Sequence, residues 1–398
     1  MSDIIFLSDT TAPEPHMEKP FLFSKNHFKS FLKSSRNNKF DDHNIVQNLD
    51  DVKGKNYFVY YDCNQFYVGL KTILKSKETH YKTIVNDLKN NKCKLIIHNS
   101  DTTPSNYDEF DSKLYSLMDG LNINYENVIF ILQELVLNDD TPNLKKLKFP
   151  IVFFNILSAD ILSDCHNHDL IKCLTPLFES SRYSYRDNYF ISFNNNIKQH
   201  RIDLLSILVN NNIIDKGMTS WFAGQEPKDQ GRDNMSWDEE VRKWIGYSKD
   251  LKVELTRQDW LNPIPHMNSY FNIITESNWG QHGYDEHTTQ KIFFSEKTWK
   301  SIITYQPFIL ISTRYSLKKL KELGFKTFSP HINEDYDNLR TYEERIIFIE
   351  SEINRICNMS KNDLDEWYWN MEEILRHNFN HFFNFVDSEF QKIEDILK

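Results

Sequence analysis

The chain has 398 residues and a formal net charge of -10, from 47 Lys plus Arg against 57 Asp plus Glu. A chain of this length calls for two domains, and its acidic balance argues against a nucleic-acid-binding domain, which needs a basic face. Hydrophobic residues at 39% and aromatics at 14% are enough to build real cores. The five cysteines are scattered, odd in number and without a CxxC pair, so they read as reduced thiols. No basic segment followed by an apolar run opens the chain, and no window approaches the roughly 20 apolar residues of a membrane span. The expected location is the cytoplasm.

In chain order, residues 1–50 are polar and broken by Pro13, Pro15 and Pro20, which predicts an arm or a loosely packed entry to the first domain. Short apolar runs at 57–61, 95–98, 128–132 and 151–157 predict strands, with helical patterns at 81–88 and 114–121 between them. Strands alternating with helices predict a parallel sheet of βαβ units over 51–185. The pattern restarts near 186: a strand at 189–193, an asparagine turn at 194–196 and a helix over 201–208. A charged stretch at 224–238 predicts a surface loop, and further strands follow at 270–274 and 307–311. Gly324 reads as a left-handed residue just past a helix end. Glu334 and Asp337 read as turn and cap groups. From 341 the chain is helical, opening on a Thr341–Glu344 capping box and keeping helical spacing through Trp367, Met371 and Leu375. A second α/β domain over 186–340 and C-terminal helices over 341–398 complete the expectation.

The segment from Ile292 to Ile303 carries the strongest chemical signal. Ser295 is a natural N-cap, and Trp299, Ile302 and Ile303 fall on one buried face. Lys297 in the first turn opposes the helix dipole, which makes sense if an anion sits there and shares the ammonium with helix amides. Glu296 can accept hydrogen bonds from ribose hydroxyls. Arg201 offers a diphosphate a permanently charged fork. The plain structural alternatives are a capped surface helix for Ser295-Glu296-Lys297 and a packed stem for Arg201.

Upstream of that helix, Phe271-Asn272-Ile273-Ile274-Thr275-Glu276-Ser277-Asn278 is a strand ending in polar groups, and downstream Gln306-Pro307 opens another. This order resembles the donor-binding core of the family 10 fucosyltransferases, where a Phe-Glu-Asn-Ser element precedes a Thr-Glu-Lys-Leu-Trp helix and a Val-Pro-Val strand. Phe193-Asn194-Asn195-Asn196, His200-Arg201 and Ile214-Asp215-Lys216-Gly217 are similar to that family's earlier elements. The resemblance spans about 186–340, and extends to glycosyltransferase-like proteins of phages and large viruses through the run from Leu320 to Phe328. It implies a GT-B-like fold, two Rossmann-like domains facing across a cleft with C-terminal helices. It implies a nucleotide-sugar donor bound by Asn194, Arg201, Glu276, Asn278, Ser295, Glu296 and Lys297, with Glu276 holding the sugar or its developing positive charge.

For the acceptor side, the resemblance asks for a general base in the first domain. Strand-end acids are the candidates: Asp101 is favoured, with Asp62 and Glu134 as alternatives. No metal or other cofactor is expected, because no Asp-x-Asp set follows an apolar strand and neither GxGxxG nor a Walker loop occurs. The expectation is therefore a metal-independent glycosyltransferase acting on an acceptor hydroxyl, most simply of a glycan. Two rivals stand beside it. One is an enzyme acting on hydroxymethylated bases in viral DNA, located in the host cytoplasm, with Lys71, Lys75, Lys77 and Lys82 as a modest basic cluster. The other is a catalytically degenerate nucleotide- or carbohydrate-binding protein.

Overall fold

A computed structural model describes residues 5–7, 45–46, 49–52, 54–62, 74–75, 79–99, 107–133, 135, 148–167, 169–194, 198–221, 262–277 and 292–397. Asp101, Glu134, Asn278, Lys71, Lys77 and the 224–238 loop lie outside these residues. The chain separates into two units, Met1–Ser163 with Phe385–Lys398, and Asp164–Asn384. Both are built on parallel sheets, as the alternation of strands and helices predicts.

The first unit carries strands β1 (Phe6–Leu7), β2 (Ile45–Val46), β3 (Tyr57–Asp62), β4 (Cys93–Asn99), β5 (Val128–Leu132) and β6 (Ile151–Phe153). Their order is β2-β1-β3-β4-β5-β6, and every pairing is parallel. The 1–50 segment thus supplies two short strands to the sheet. All five residues of β5 are buried, the pattern of a strand covered on both faces. Ile84 and Leu88 on the Thr79–Lys89 helix, and Leu114 and Met118 on the Tyr107–Leu121 helix, pack with Leu95, Ile97, Val128 and Phe130 into one core. The apolar run at 151–157 ends as a strand at Phe153, because Asn155 Oδ1 accepts the Ser158 amide at 3.0 Å and starts the helix Ile156–Asn167. Residues 385–398 belong to this unit, where Phe390 meets Phe154 at 5.2 Å.

The second unit carries β7 (Asn188–Asn194), β8 (Gly217–Trp221), β9 (Ser269–Thr275) and β10 (Phe308–Ile311), in the order β10-β9-β7-β8 and again all parallel. This unit begins at residue 164 rather than 186, since the apolar face of the Leu170–Ser180 helix is buried in it. There Phe178 stacks on Tyr305 at 4.1 Å. The helix Gln199–Asn210 leads from β7 to β8, and Glu296–Ile303 leads from β9 to β10. Trp299 anchors the second of these: it is fully buried among Phe294, Phe325 and Phe382, with ring centroids 5.7, 5.7 and 6.0 Å away. From β7 the chain steps to β8 on one side and then crosses to β9 on the other. The connections therefore diverge between β7 and β9, and such a switch point opens a crevice at the carboxyl ends of the two strands.

Two local signals take the form their residues dictate. Thr341 Oγ1 accepts the Glu344 amide and Glu344 returns the bond to the Thr341 amide, both at 3.2 Å, closing the capping box of the helix Tyr342–Cys357. Gly324 follows the helix Ser316–Glu322 with φ +92°. Its amide donates to Lys321 O and the Phe325 amide to Leu320 O, both at 3.0 Å, the paired bonds of a Schellman end. A Cβ at Gly324 would lie 2.6 Å from His381 Nε2. Gly324→Ala is expected to lower stability by about 1–2 kcal/mol through strain at positive φ and this close approach. Urea denaturation reads the loss, and an unchanged midpoint contradicts it.

Candidate functional site

The carboxyl ends of β7 and β9 bring together residues about 80 positions apart in the chain. Asn194 closes β7, where its Oδ1 accepts from Thr275 Oγ1 at 2.5 Å and its Nδ2 donates to Ser192 Oγ at 3.1 Å. Almost fully buried, Asn194 is a strut that ties the two strand ends. At the carboxyl end of β9, three consecutive carbonyls each accept a side-chain hydrogen bond. Thr275 O takes Lys297 Nζ at 2.8 Å, Glu276 O lies 3.0 Å from His200 Nε2, and Ser277 O takes Lys198 Nζ at 2.6 Å. Lys198 and His200 come from the start of the 199–210 helix and Lys297 from the start of the 296–303 helix. Nitrogen donors from both flanking helices thus grip one strand end.

Glu276 sits at the centre and is 0% exposed. Its Oε1 accepts the Ser295 amide at 2.9 Å and Thr298 Oγ1 at 2.6 Å, while its buried Oε2 has no hydrogen-bond partner among the described residues. Ser295 Oγ accepts the Lys297 amide at 3.3 Å, so Ser295 is the N-cap its sequence predicts. The carboxylate and the serine together hold the first turn of the 296–303 helix against β9. Burial keeps the Glu276 carboxyl above the usual carboxylate range, against the lowering pull of Ser295, Thr298 and the Lys297 charge.

The electrostatics of the cluster are cationic. Burial, and next the neighbouring Arg201 charge, push Lys297 down to about 8, with Glu296 and Glu276 opposing. Arg201 is 3% exposed; burial lowers its pKa, opposed by Glu276 and then Glu296. His200 is pushed down to about 3, by burial first and Arg201 second. It is therefore neutral near pH 7, and its Nε2–H donates to the Glu276 carbonyl. Among the described residues, with His200 neutral, Lys198, Arg201 and Lys297 outnumber Glu276 and Glu296. Lys198, Glu296 and Lys297 are partly exposed, whereas Arg201 and Glu276 are buried. Cationic side chains held in place by main-chain oxygens can meet an anion without reorganising.

The other sequence candidates sort by position. Asp62 is the last residue of β3 in the first unit. Asp337 accepts the Leu317 and Lys318 amides at 3.1 and 3.0 Å, and Glu334 accepts Thr327 Oγ1 and the Phe328 amide at 2.6 Å each, so both are cap and turn groups. Lys198 escaped the sequence reading, although a basic residue opening a helix is the same contradiction of the dipole that marked Lys297. A groove of about 490 Å³ lies on the opposite face of the 199–210 helix; Asp203, Glu343 and Glu350 line it, so it repels anions and stands apart from this site. Among the described residues no group of three or more His, Cys, Asp or Glu is placed to hold a metal ion. Among them, too, no helix is long and apolar enough to cross a membrane. Compared with models of known protein families and with curated proteins, the chain matches none.

Proposed function

We propose that this chain is a glycosyltransferase whose second unit binds the diphosphate of a nucleotide-sugar at the carboxyl ends of β7 and β9. The observation that carries the reading is the carbonyl grip. Lys297 and Lys198 are held by main-chain oxygens beside a buried arginine, so among the described residues cationic side chains are fixed at a switch point of a parallel sheet. In this reading Lys297 and Lys198 meet the diphosphate and neutralise it as its bond to the sugar breaks. Glu296 accepts from hydroxyls of the ligand. Glu276, which the sequence reading set against the sugar, acts from behind by fixing the helix start. The resemblance to family 10 fucosyltransferases supports the same assignment, and two parallel-sheet units are compatible with the GT-B class. An acceptor hydroxyl completes the reaction by attacking the anomeric carbon and giving its proton to a carboxylate base, while the bond from that carbon to the diphosphate breaks and the nucleoside diphosphate leaves.

The test is a thermal-shift screen of UDP, GDP, CMP and ADP sugars. At a concentration of 100 times Kd, a ligand of the folded state adds about 2.7 kcal/mol, which raises Tm by several degrees. One nucleotide class is expected to give this shift, and Lys297→Ala and Arg201→Ala are expected to abolish it. No shift with any sugar nucleotide, or an undiminished shift in both variants, overturns the reading.

A further inference from the structure

Beyond β10 the chain breaks two local rules at one residue. Tyr315 precedes the Ser316–Glu322 helix in the left-handed conformation, φ 65° and ψ 16°. Glycine or asparagine takes that backbone at little cost, whereas a bulky side chain is strained by it. As the N-cap position it calls for Ser, Thr, Asp or Asn. Tyrosine meets neither demand, and Asp337 supplies the cap instead through the Leu317 and Lys318 amides.

The surroundings hold this conformation in place. The Tyr315 amide donates to Asp337 O at 3.0 Å, and Arg314 donates to Asn338 O from Nε at 3.0 Å and from Nη2 at 2.7 Å. Arg345 Nη2 donates to Ser312 O at 2.7 Å. The Arg314 guanidinium carbon lies 4.3 Å from the Tyr315 ring centroid and Lys318 Nζ 5.8 Å from it, and the ring is partly exposed. A strained residue held this firmly points to a use for its side chain.

Its place in the sheet says which use. The Glu276 amide donates to Ile311 O at 2.9 Å, so the segment leaving β10 starts directly beside the site. Adjacent strands are about 4.8 Å apart, which puts the end of β10 about one strand from Glu276 and two from Asn194. Cations at the ends of β7 and β9 and an aromatic ring beyond β10 thus share one edge of the sheet. A ligand that is a diphosphate at one end and a flat ring at the other matches that order.

We propose that Tyr315, backed by Arg314, is the stacking platform for the base of a nucleoside diphosphate. The proposal rests on the donor-site reading above and adds to it the residue that meets the base. Calorimetric titration of the full chain with pyrophosphate and with UDP, GDP, CDP and ADP tests it. Tyr315→Gly is expected to weaken the best-bound nucleoside diphosphate roughly tenfold, the loss of one base–aromatic stack. Pyrophosphate affinity stays unchanged, Tm does not fall because glycine accepts the left-handed backbone, and Tyr315→Phe retains binding. An unchanged nucleotide affinity in Tyr315→Gly, or an equal loss for pyrophosphate, overturns the platform. In either case the donor site itself stands if Lys297→Ala abolishes binding. Failure of the wild type to bind either kind of probe overturns both.

Discussion

Glu276→Ala should destabilise the protein by roughly 3–5 kcal/mol, the cost of removing one partner from a buried charged network. The change leaves the Ser295 amide and Thr298 Oγ1 without their acceptor and removes the charge that offsets Arg201 and Lys297. The first turn of the 296–303 helix then loses its tie to β9. Glu276→Gln removes the same charge but keeps an acceptor at the same position, and should cost about 1–2 kcal/mol less than alanine. Urea denaturation of the two variants separates the roles. If alanine costs less than about 1 kcal/mol, Glu276 does not hold the helix start; if glutamine costs as much as alanine, the charge matters more than the acceptor.

Anion binding should lose up to tenfold in affinity for each pH unit above about 8, and be flat below it. The cause is Lys297, which titrates at about 8 in the free chain and must carry its proton to attract a phosphate. Above that pH the ligand has to recruit the proton as well. Stability moves the other way. Between about 8 and the ordinary lysine value of 10.5, the unfolded chain holds the proton that the folded chain has released, so the Lys297 contribution to stability rises with pH. Lys297→Arg, always charged, should flatten the affinity profile across this window. A sugar nucleotide titrated calorimetrically from pH 7 to pH 9.5 measures it. A flat wild-type profile, or an unaltered slope in Lys297→Arg, removes Lys297 from the anion contact.

Much of the local structure was legible because its causes lie within a few residues of each other. Ser295 capping its helix, the Thr341–Glu344 box and Gly324 at a helix end are contests between neighbouring groups for backbone bonds. The continuous apolar run of β5 announces a strand buried on both faces. β8 went unread because Thr219 and Ser220 interrupt its apolar run, and it is a strand through its pairing with β7. The two-residue strands β1 and β2 are too short to carry a periodic signal at all.

For the site, cationic residue types at helix starts marked Lys297 and Arg201, and the resemblance to the family 10 fucosyltransferases marked Glu276 and Asn194. The sequence did not determine their division of labour. Strand order decided that: setting β9 beside β7 buries Glu276 and Arg201 and ties Asn194 to Thr275. The same pairing brings Lys198 within reach of Ser277 O, across 79 positions of chain. The hydrogen bonds that separate a buried support from an exposed contact join residues distant in sequence, so only the packed sheet determines them.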